Sequence, residues 1–449
     1  MSSLQMDLTN EKPNILFIFA DDWGYGDLGC YGHHELMTPN LDKLALEGTR
    51  FTQFHVVSPV CSPSRCGVLT GHYPARHMVH GHFARHDHNE MRHMPNWLDV
   101  DVYTIPKLLK SEGYRTAHYG KWHLGGGGDQ HGHPDAPKPI EYGYDDARVW
   151  NGNGPTWLGT EAWPFELPND LDEHFLPYSD RLAVEESMKF IEADTKKPFY
   201  INLWLRTPHT PIRATEEQRK PYLHIEEPKQ TYYSVLTEAD RQIGRILDKL
   251  DELGIADNTL VIFSSDNGPE SVHSYNEETR FCQGSTAGLR GRKRSLYEGG
   301  VRVPFIVRWP GKTPEAEVNF NSIISAVDLL PTFCNIAGVK VPEDLSPDGI
   351  DMTDALLGKS FKREKPIMWE WRPANQDPDS KHCPMHAIRD GKYVLLKNPS
   401  NNRVELYDIY EDYSQLNNIA KKHPDLVEKL CKQIDEWTDT LPDKESRPQ

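Results

Sequence analysis

The sequence predicts an α/β fold in which helices cover both faces of a sheet of buried strands. Three uninterrupted apolar runs support this prediction, at residues 14–20 (NILFIFA), 198–205 (PFYINLWL) and 259–264 (TLVIFS). Strands that are apolar at successive positions, and not only at alternate ones, are typical of sheets covered on both faces. Segments with helical periodicity separate these runs, and the longest of them spans residues 232–253.

The length of 449 residues allows a large core, and we expect one large domain followed by a small one. The formal net charge of -17 disfavours nucleic acid or an anionic membrane as a general partner. An anionic substrate therefore needs local positive charge, which residues 115–121 and 290–294 could supply. No apolar run approaches the roughly 18 residues of a membrane span.

The first 14 residues show neither the basic region nor the apolar region of a signal peptide. The sequence leaves the cellular location of the protein open. We expect the periplasm or the exterior if a leader has been removed, and the cytoplasm otherwise. The seven cysteines are scattered, without the CxxC pairs of a zinc site or the density of a disulfide scaffold.

The elements between the apolar runs follow from capping, glycine and proline signals. We expect helices at residues 39–47, 63–70, 104–112, 178–193, 232–253, 325–337 and 424–437. We expect further strands at residues 50–57, 114–119, 366–371, 386–388 and 393–397. Residues 125–139 are predicted to be loop, and residues 150–177 an irregular insertion that faces the substrate.

The first apolar run ends in Asp21 and Asp22, and the third leads into Asp266 and Asn267. In open α/β sheets ligands gather at the carboxyl ends of strands, so these oxygen-bearing side chains indicate a cation site. The alternative for Asp22 is that it only caps the following turn.

Cys61 is predicted to lie just ahead of a short helix that begins near Pro63 and ends before Gly71. The backbone N–H groups and the positive end of the helix dipole would then point at Cys61, with Arg65 one turn along. A sulfur or oxygen held there is placed to meet an anion. The alternative is an ordinary buried cysteine beside a helix.

Seven histidines lie between residues 72 and 93, but they lack the HExxH spacing of a zinc site. A solvated polar loop is the simpler interpretation, although part of this loop could also wall a substrate pocket. Lys121 and His123 are two residues apart in a predicted extended segment, so both can face one ligand. His209 follows the second apolar run, where an acid or base could reach the site.

Five strings resemble the type I sulfatases. Residues 60–71 (VCSPSRCGVLTG) match the signature CxPSRxxLxTG, and the other matches are GKWHLG at 120–125, PHTP at 208–211, SDNG at 265–268 and LRGRKRSLYEGG at 289–300. Arg292 and Arg294 stand where relatives often have glycine. The resemblance implies an alkaline-phosphatase-like large mixed sheet sandwiched by helices at residues 12–355. It also implies a small C-terminal antiparallel-sheet subdomain with one helix at residues 356–449.

The resemblance further implies that a maturation enzyme converts Cys61 to formylglycine, whose hydrate is the nucleophile. The implied ligands of a divalent cation are Asp21, Asp22, Asp266, Asn267 and modified Cys61. Oxygen ligands favour Ca²⁺ or Mg²⁺. Arg65 would hold this region in place, while Lys121 and Lys293 would neutralise charge on the transferring group. His209 is then the candidate acid toward the leaving group and His123 the candidate base, although the lysine and histidine roles could be exchanged.

The expected activity is hydrolysis of a sulfate ester. Tryptophans and histidines in the loops favour a sulfated carbohydrate, desulfated in exo fashion, and the candidate substrate contacts are His72, His86, Trp150, Arg206 and Arg372. One alternative is a formylglycine-dependent phosphonate monoester or phosphodiester hydrolase. A second is a sulfated-glycan-binding protein that has lost catalysis.

Overall fold

The computed structural model describes residues 12–125, 136–150, 175–272, 277–372, 384–399 and 402–442. The strands in this part of the chain are β1 (Asn14–Ala20), β2 (Thr49–Phe51), β3 (Phe54–His55), β4 (Arg115–Lys121), β5 (Asp146–Trp150), β6 (Phe199–Trp204), β7 (Thr259–Ser265), β8 (Phe305–Arg308), β9 (Glu317–Asn319), β10 (Ile324–Ser325), β11 (Ile367–Glu370), β12 (His386–Asp390), β13 (Tyr393–Asn398) and β14 (Arg403–Asp408). The α-helices are α1 (Pro39–Leu46), α2 (Cys61–Thr70), α3 (His86–Met91), α4 (Ile105–Ser111), α5 (Ser179–Ala193), α6 (Glu216–Arg219), α7 (Lys229–Glu252), α8 (Glu298–Val301), α9 (Leu329–Ala337), α10 (Thr353–Leu356) and α11 (Pro424–Asp439).

The main sheet has eight strands in the order β5-β4-β6-β1-β7-β8-β2-β9. The central strand β1 runs parallel to β6 and β7, and all seven of its residues are buried. The strand β8 runs antiparallel to both β7 and β2, so the sheet is mixed, as expected.

Successive residues of β1 contribute to two different cores. Ile15 and Phe17 pack with α2, α4 and α9, whereas Leu16 and Ile18 pack with α1, α5 and α7. This is the arrangement that a strand with apolar residues on both faces requires. The prediction of a sheet sandwiched by helices is confirmed.

The small C-terminal sheet is antiparallel, in the order β11-β12-β13-β14, and α11 packs against it. The sequence analysis missed β14, which pairs with β13 along its whole length. Trp369 of β11 donates its indole N–H to the carbonyl of Val56 at 2.7 Å, which ties the small sheet to the segment that follows β3. The domain boundary near residue 356 stays a prediction. Among the described residues, every helix is too short or too polar to cross a membrane.

Two local predictions differ from the structure. The strand expected at residues 50–57 is split, because β2 pairs with β8 and β9 whereas β3 pairs with β10 of a separate two-stranded sheet. Cys61 is the first residue of α2 and not a residue ahead of it. Pro63 is tolerated inside this helix because N–H groups of the first turn have no helical acceptor.

The strands β1, β4, β6 and β7 run parallel, so their carboxyl ends meet at one edge of the sheet. Asp21, Lys121 and Asp266 lie at or directly after three of these ends. The loop after β6 carries His209 to the same edge. The fold therefore gathers these predicted site residues in one place.

Candidate active site

An acidic cluster joins the ends of β1 and β7. The backbone N–H of Asp266 donates to the carbonyl of Ala20 at 3.1 Å, and the backbone N–H of Asp22 donates to Asp266 Oδ1 at 3.2 Å. The side-chain amide of Asn267 donates to Asp22 Oδ1 at 2.6 Å. Asp22 is therefore bonded across the sheet, and the turn-cap alternative is not what the structure shows.

Three oxygens of this cluster are buried without a hydrogen bond: Asp21 Oδ1, Asp22 Oδ2 and Asn267 Oδ1. Atoms of Asp21, Asp22 and His209 also lie within 4.8 Å of one another. A buried acceptor without a partner costs free energy, and a hard cation satisfies several such oxygens at once. The residues present therefore fit a divalent cation.

The pKa values of the carboxyl groups in the cluster are shifted in different directions by burial and by neighbouring charges. Burial opposes ionisation of Asp21, but the charges of Lys121 and Arg65 hold its pKa well below the usual range. The pKa of Asp266 is raised well above its usual value by burial and by the nearby charge of Asp21. Burial also raises the pKa of Asp22. A bound cation would add to the positive charge of the protein and would stabilise the ionised form of these carboxyl groups.

Three buried cations pair with the three carboxylates. The closest distances are 2.5 Å for Lys121 Nζ to Asp21 Oδ2, 2.5 Å for Lys293 Nζ to Asp22 Oδ1 and 2.7 Å for Arg65 Nη2 to Asp266 Oδ2. Arg65 also lies 3.8 Å from Asp21 Oδ2. All six of these side chains are almost completely buried, so water screens their charges little.

Cys61 joins this cluster from the first turn of α2. Its side chain is 3% exposed, and its thiol interacts electrostatically with Arg65, Asp266 and Lys293. The structure therefore brings the helix of the signature string and the acidic strand ends into one site. The backbone N–H groups that begin α2 suit an anion at this position.

His209 presents one ring nitrogen to the cluster. Its Nδ1 donates to the carbonyl of Thr210 at 2.8 Å, which leaves Nε2 facing Asp22 Oδ2 at 3.9 Å. Burial and the charges of Lys293 and Lys121 place its pKa well below the usual value, so the ring is neutral. Nε2 therefore carries the lone pair that can exchange a proton.

His123 is oriented in the opposite sense. Its Nε2 donates to the carbonyl of Phe83 at 3.1 Å, while Nδ1 is buried without a hydrogen bond. Burial and the charge of Lys121 lower the pKa of His123 well below the usual value. The φ of His123 is 54°, so the segment turns after Lys121 and is not extended as expected.

Glu270, which the sequence analysis missed, organises the cationic loop. Its carboxylate pairs with Arg294 at 2.5 Å and lies 4.0 Å from Lys293 Nζ. Arg292 donates to the backbone carbonyl of Glu270 at 3.0 Å. Arg292 and Arg294, the unusual arginines beside Lys293, thus fix this loop through their contacts with Glu270. The only sequence signal for Glu270 was its position two residues after the SDNG string.

Residues 72–84 of the histidine-rich segment are folded onto the protein, so the prediction of a solvated loop is wrong for this part, whereas several residues of 85–93 are exposed. Ser62 Oγ accepts a hydrogen bond from the N–H of Phe83 at 3.0 Å, and His80 is buried against Glu370, 2.8 Å from its Oε1. The ring of His82 lies 6.2 Å from that of His123. The alternative that this loop walls the site agrees with these contacts.

The candidate substrate contacts are engaged elsewhere in the protein. His72 donates to the carbonyl of Leu345 at 2.8 Å, Trp150 is buried with its ring 5.7 Å from Phe175, and Arg206 donates to the carbonyl of Pro211 at 2.8 Å. The ring of His86 lies 6.5 Å from that of Trp97, and Arg372 Nε lies 3.1 Å from Glu370 Oε1. Their roles stay predictions. The predicted substrate-facing insertion falls mainly on residues 151–174, outside the described residues.

Comparison with known families and proteins gives matches along most of the chain. A family model described as Sulfatase matches residues 13–339, and one described as N-sulphoglucosamine sulphohydrolase, C-terminal, matches residues 291–440. The N-acetylgalactosamine-6-sulfatase of Canis lupus familiaris is 31% identical over 383 residues, which are 80% of this chain and 68% of that protein. The N-acetylgalactosamine-6-O-sulfatase of Bacteroides thetaiotaomicron is 29% identical over 502 aligned residues, covering 95% of this chain and 93% of that protein.

Solved structures share the whole architecture. The crystal structure of Ps i-CgsB in complex with k-i-k-neocarrahexaose has a TM-score of 0.82 and 26% identity, and covers 98% of this chain and 95% of that one. The phosphonate monoester hydrolase of Agrobacterium radiobacter has a TM-score of 0.69 at 19% identity, with 96% of each chain covered. The second likeness shows a shared fold alone.

Proposed function

The chain belongs to the sulfatase family of sulfuric ester hydrolases, and on that premise we propose that it removes a sulfate group from a carbohydrate in exo fashion. Two relatives are named for N-acetylgalactosamine sulfate, and the similar Ps i-CgsB structure holds a neocarrahexaose. These names support a saccharide substrate. Cys61 is buried, with only 3% of its surface exposed, which favours attack on an exposed sulfate at a chain end.

The family implies a formylglycine and a divalent metal in general. We propose that Asp21, Asp22, Asp266, Asn267 and the modified side chain of residue 61 hold the cation. Oxygen ligands favour Ca²⁺, with Mg²⁺ as the alternative. When bound, such a cation polarises a sulfate oxygen and lowers the pKa of a hydroxyl group beside it.

The proposed modification explains why the signature cysteine lies in an anion-binding position. Formylglycine, produced from Cys61 by a maturation enzyme, supplies as its hydrate a hydroxyl nucleophile with a second hydroxyl for release of the sulfate. Asp266 would take the proton of the nucleophile, because its buried carboxyl group lies in the same site as Cys61 and interacts with it. Arg65, bonded to Asp266, would keep that carboxyl in place.

The two lysines bind and orient the sulfate. Lys121 and Lys293 lie on the two strand-end carboxylates, so their ammonium groups are fixed where charge accumulates on the transferring group and the leaving oxygen. Their positions need little reorganisation during the reaction. Fixed positive charge in a buried site stabilises an anionic transition state more than mobile charge in water does.

The tautomers support separate proton roles for the two histidines. His209 would hold a proton at Nε2 once an anionic substrate offsets the charge of the lysines, and would give it to the leaving oxygen. His123 would accept a proton at Nδ1 when the sulfate is released. Coordination by His209 Nε2 is a second possible role, but four oxygen-bearing side chains already provide hard ligands, so we assign this nitrogen to the proton.

The observation that carries the proposal is the convergence of Cys61 with three buried oxygens that have no hydrogen bond. Its test compares turnover of an aryl sulfate with turnover of an aryl phosphonate diester by the same preparation. A sulfatase turns over the sulfate with the larger kcat/KM. A preference for the phosphonate diester would replace the proposal by the phosphonate hydrolase alternative.

The saccharide is identified by a panel of sulfated sugars with defined sulfate positions, each as a chain-terminal and as an internal residue. Exo action predicts release from terminal residues only. Turnover of aryl sulfate without turnover of any saccharide would refute the carbohydrate assignment and leave the sulfatase assignment standing.

A further inference from the structure

A cavity of about 430 Å³ lies beside the site described above. Its wall includes Ile212, Arg213, Arg219, Glu278, Arg280 and Phe281. A volume of this size is within the range of small-molecule sites in proteins. None of these residues was singled out in the sequence, and none is part of the acidic cluster.

Two wall segments continue directly into the active site. Ile212 follows the proposed acid His209 by three residues, so the chain between them spans at most about 10 Å. On the other side Phe281 precedes Cys282, whose buried thiol interacts electrostatically with Asp22 and Lys293. Short segments of chain therefore connect the cavity both to the proposed acid and to a cysteine that interacts with the acidic cluster.

The cavity carries an excess of positive charge in a chain that is acidic overall. Arg213 is neutralised by Glu278, with Nη1 and Oε2 2.6 Å apart, and Arg219 Nε lies 3.9 Å from Glu227 Oε1. Arg280 is exposed, and among the described residues it has no carboxylate oxygen within 4.0 Å. Among the residues that the structure describes, the cavity wall therefore has three arginines and two carboxylates, those of Glu227 and Glu278.

The guanidinium of Arg280 is held in a defined orientation. Its central carbon lies 4.8 Å from the ring centroid of Phe281. Stacking on an aromatic ring limits the rotation of a planar guanidinium and leaves its N–H donors free to bind a ligand. Such a fork suits the paired oxygens of a sulfate or a carboxylate.

We propose that this cavity is a subsite for an anionic group on the sugar adjacent to the one that loses its sulfate. The inference rests on the proposed function, since it requires a saccharide substrate. A second sulfate and a uronate carboxylate share the recognised chemistry. The preferred substrate is therefore a multiply charged acidic saccharide and not a singly sulfated neutral one.

The test uses Arg280→Ala in the full-length, modified enzyme. The variant is expected to raise KM about tenfold for a sulfated disaccharide with an anionic neighbouring sugar, with kcat within about twofold, since tenfold corresponds to the loss of one charge-assisted contact. For a disaccharide with a neutral neighbour and for an aryl sulfate, both constants stay unchanged. Arg280→Lys keeps the charge but not the fork, and is expected to fall between the two.

Arg241→Ala is the matched control, because Arg241 is an exposed arginine of α7 outside the cavity. It removes the same charge and is expected to leave all constants unchanged. Separate substrates with a second sulfate and with a uronate carboxylate distinguish the two sources of the anion.

Two results would overturn the subsite. One is an equal rise of KM for acidic and neutral neighbours in Arg280→Ala, and the other is a wild-type enzyme that shows no preference for an acidic neighbour. Failure of the wild type to hydrolyse any sulfate ester would instead refute the proposed function, and the aryl sulfate measurement separates these cases.

Discussion

Arg65 donates two hydrogen bonds to one oxygen of Asp266, from Nε at 3.0 Å and from Nη2 at 2.7 Å. Arg65 lies one helical turn after Cys61, and its guanidinium stacks 5.0 Å from the ring of Trp204. The helix that presents Cys61 therefore also fixes a carboxylate of the neighbouring strand end. Movement of either group would disturb the other.

Replacing Arg65 is expected to reduce both stability and activity. Arg65→Leu leaves the buried Asp266 without its cation, which costs about 3–5 kcal/mol of the free energy of unfolding. Arg65→Lys keeps the charge but loses the two-bond geometry, so it should lose less stability while kcat falls at least about 100-fold. Denaturant unfolding and aryl sulfate turnover measure the two effects. Full activity of Arg65→Lys would show that the geometry is unimportant.

Removing divalent cations is expected to lower Tm and abolish turnover, because three buried oxygens lose their partner. A cation at about 100 times its Kd stabilises the folded state by about 2.7 kcal/mol. Readdition of Ca²⁺ and Mg²⁺ in separate titrations identifies the preferred ion. In Asp22→Asn the change in Tm on chelation should be smaller. An unchanged Tm in the wild type after chelation would argue against a structural cation at this site.

If His209 is the acid, the loss of activity on replacing it should depend on how readily the alcohol leaves. His209→Gln should lower kcat about 10²- to 10⁴-fold for a sugar sulfate, whose alcohol is a poor leaving group. A nitrophenyl sulfate needs little protonation and should lose much less activity. His123→Gln is the comparison, since a base that acts after departure of the alcohol affects both substrates alike. Equal losses for both substrates in His209→Gln would remove His209 from the acid role.

The burial of His55 is expected to make the folded protein less stable in acid. It is buried between Glu298 at 3.0 Å and Arg389 at 2.9 Å, with the carbonyl of Gln53 at 3.2 Å from its Nδ1. Burial and the charge of Arg389 lower its pKa to about 4, from 6.5 in the unfolded chain. The unfolded state therefore binds more protons in this range, so stability is retained above pH 6.5 and falls as the pH drops toward 4.

The size of this effect is about 3 kcal/mol, from a shift of between two and three pKa units. Glu298 also makes the protein less stable as the pH falls, but in a lower range. The charges of His55 and Arg389 outweigh burial and hold the pKa of Glu298 at about 2. Its contribution to the free energy of unfolding is therefore lost below pH 4.5. Denaturant unfolding of wild type and His55→Gln between pH 6.5 and 4 measures the slope. The variant should be less stable at pH 6.5 but should show a flatter dependence on pH. Parallel curves would assign the acid sensitivity to other groups.

Much of the fold and the acidic cluster could be predicted because they depend on local patterns. The apolar run at residues 14–20 defined the central strand, and parallel strands bring Asp21 and Asp266 together once both are placed at strand ends. The limits of α1 and α7 followed from proline and glycine signals to within a few residues.

The remaining features depend on contacts between residues that are distant in the sequence. The split of β2 and β3 results from pairing with β8 and β10, more than 200 residues away. The burial of His80 requires Glu370 from the C-terminal sheet. Glu270 is distinguished only by the arginines that fold back onto it, which no local pattern reveals.

The most direct test of the account is the mass of the peptide that contains residue 61, measured together with aryl sulfate turnover in preparations made with and without a formylglycine-generating enzyme. The account predicts an aldehyde in place of the Cys61 thiol, and turnover that rises in proportion to the modified fraction. Undiminished turnover by protein whose Cys61 is wholly unmodified would contradict it.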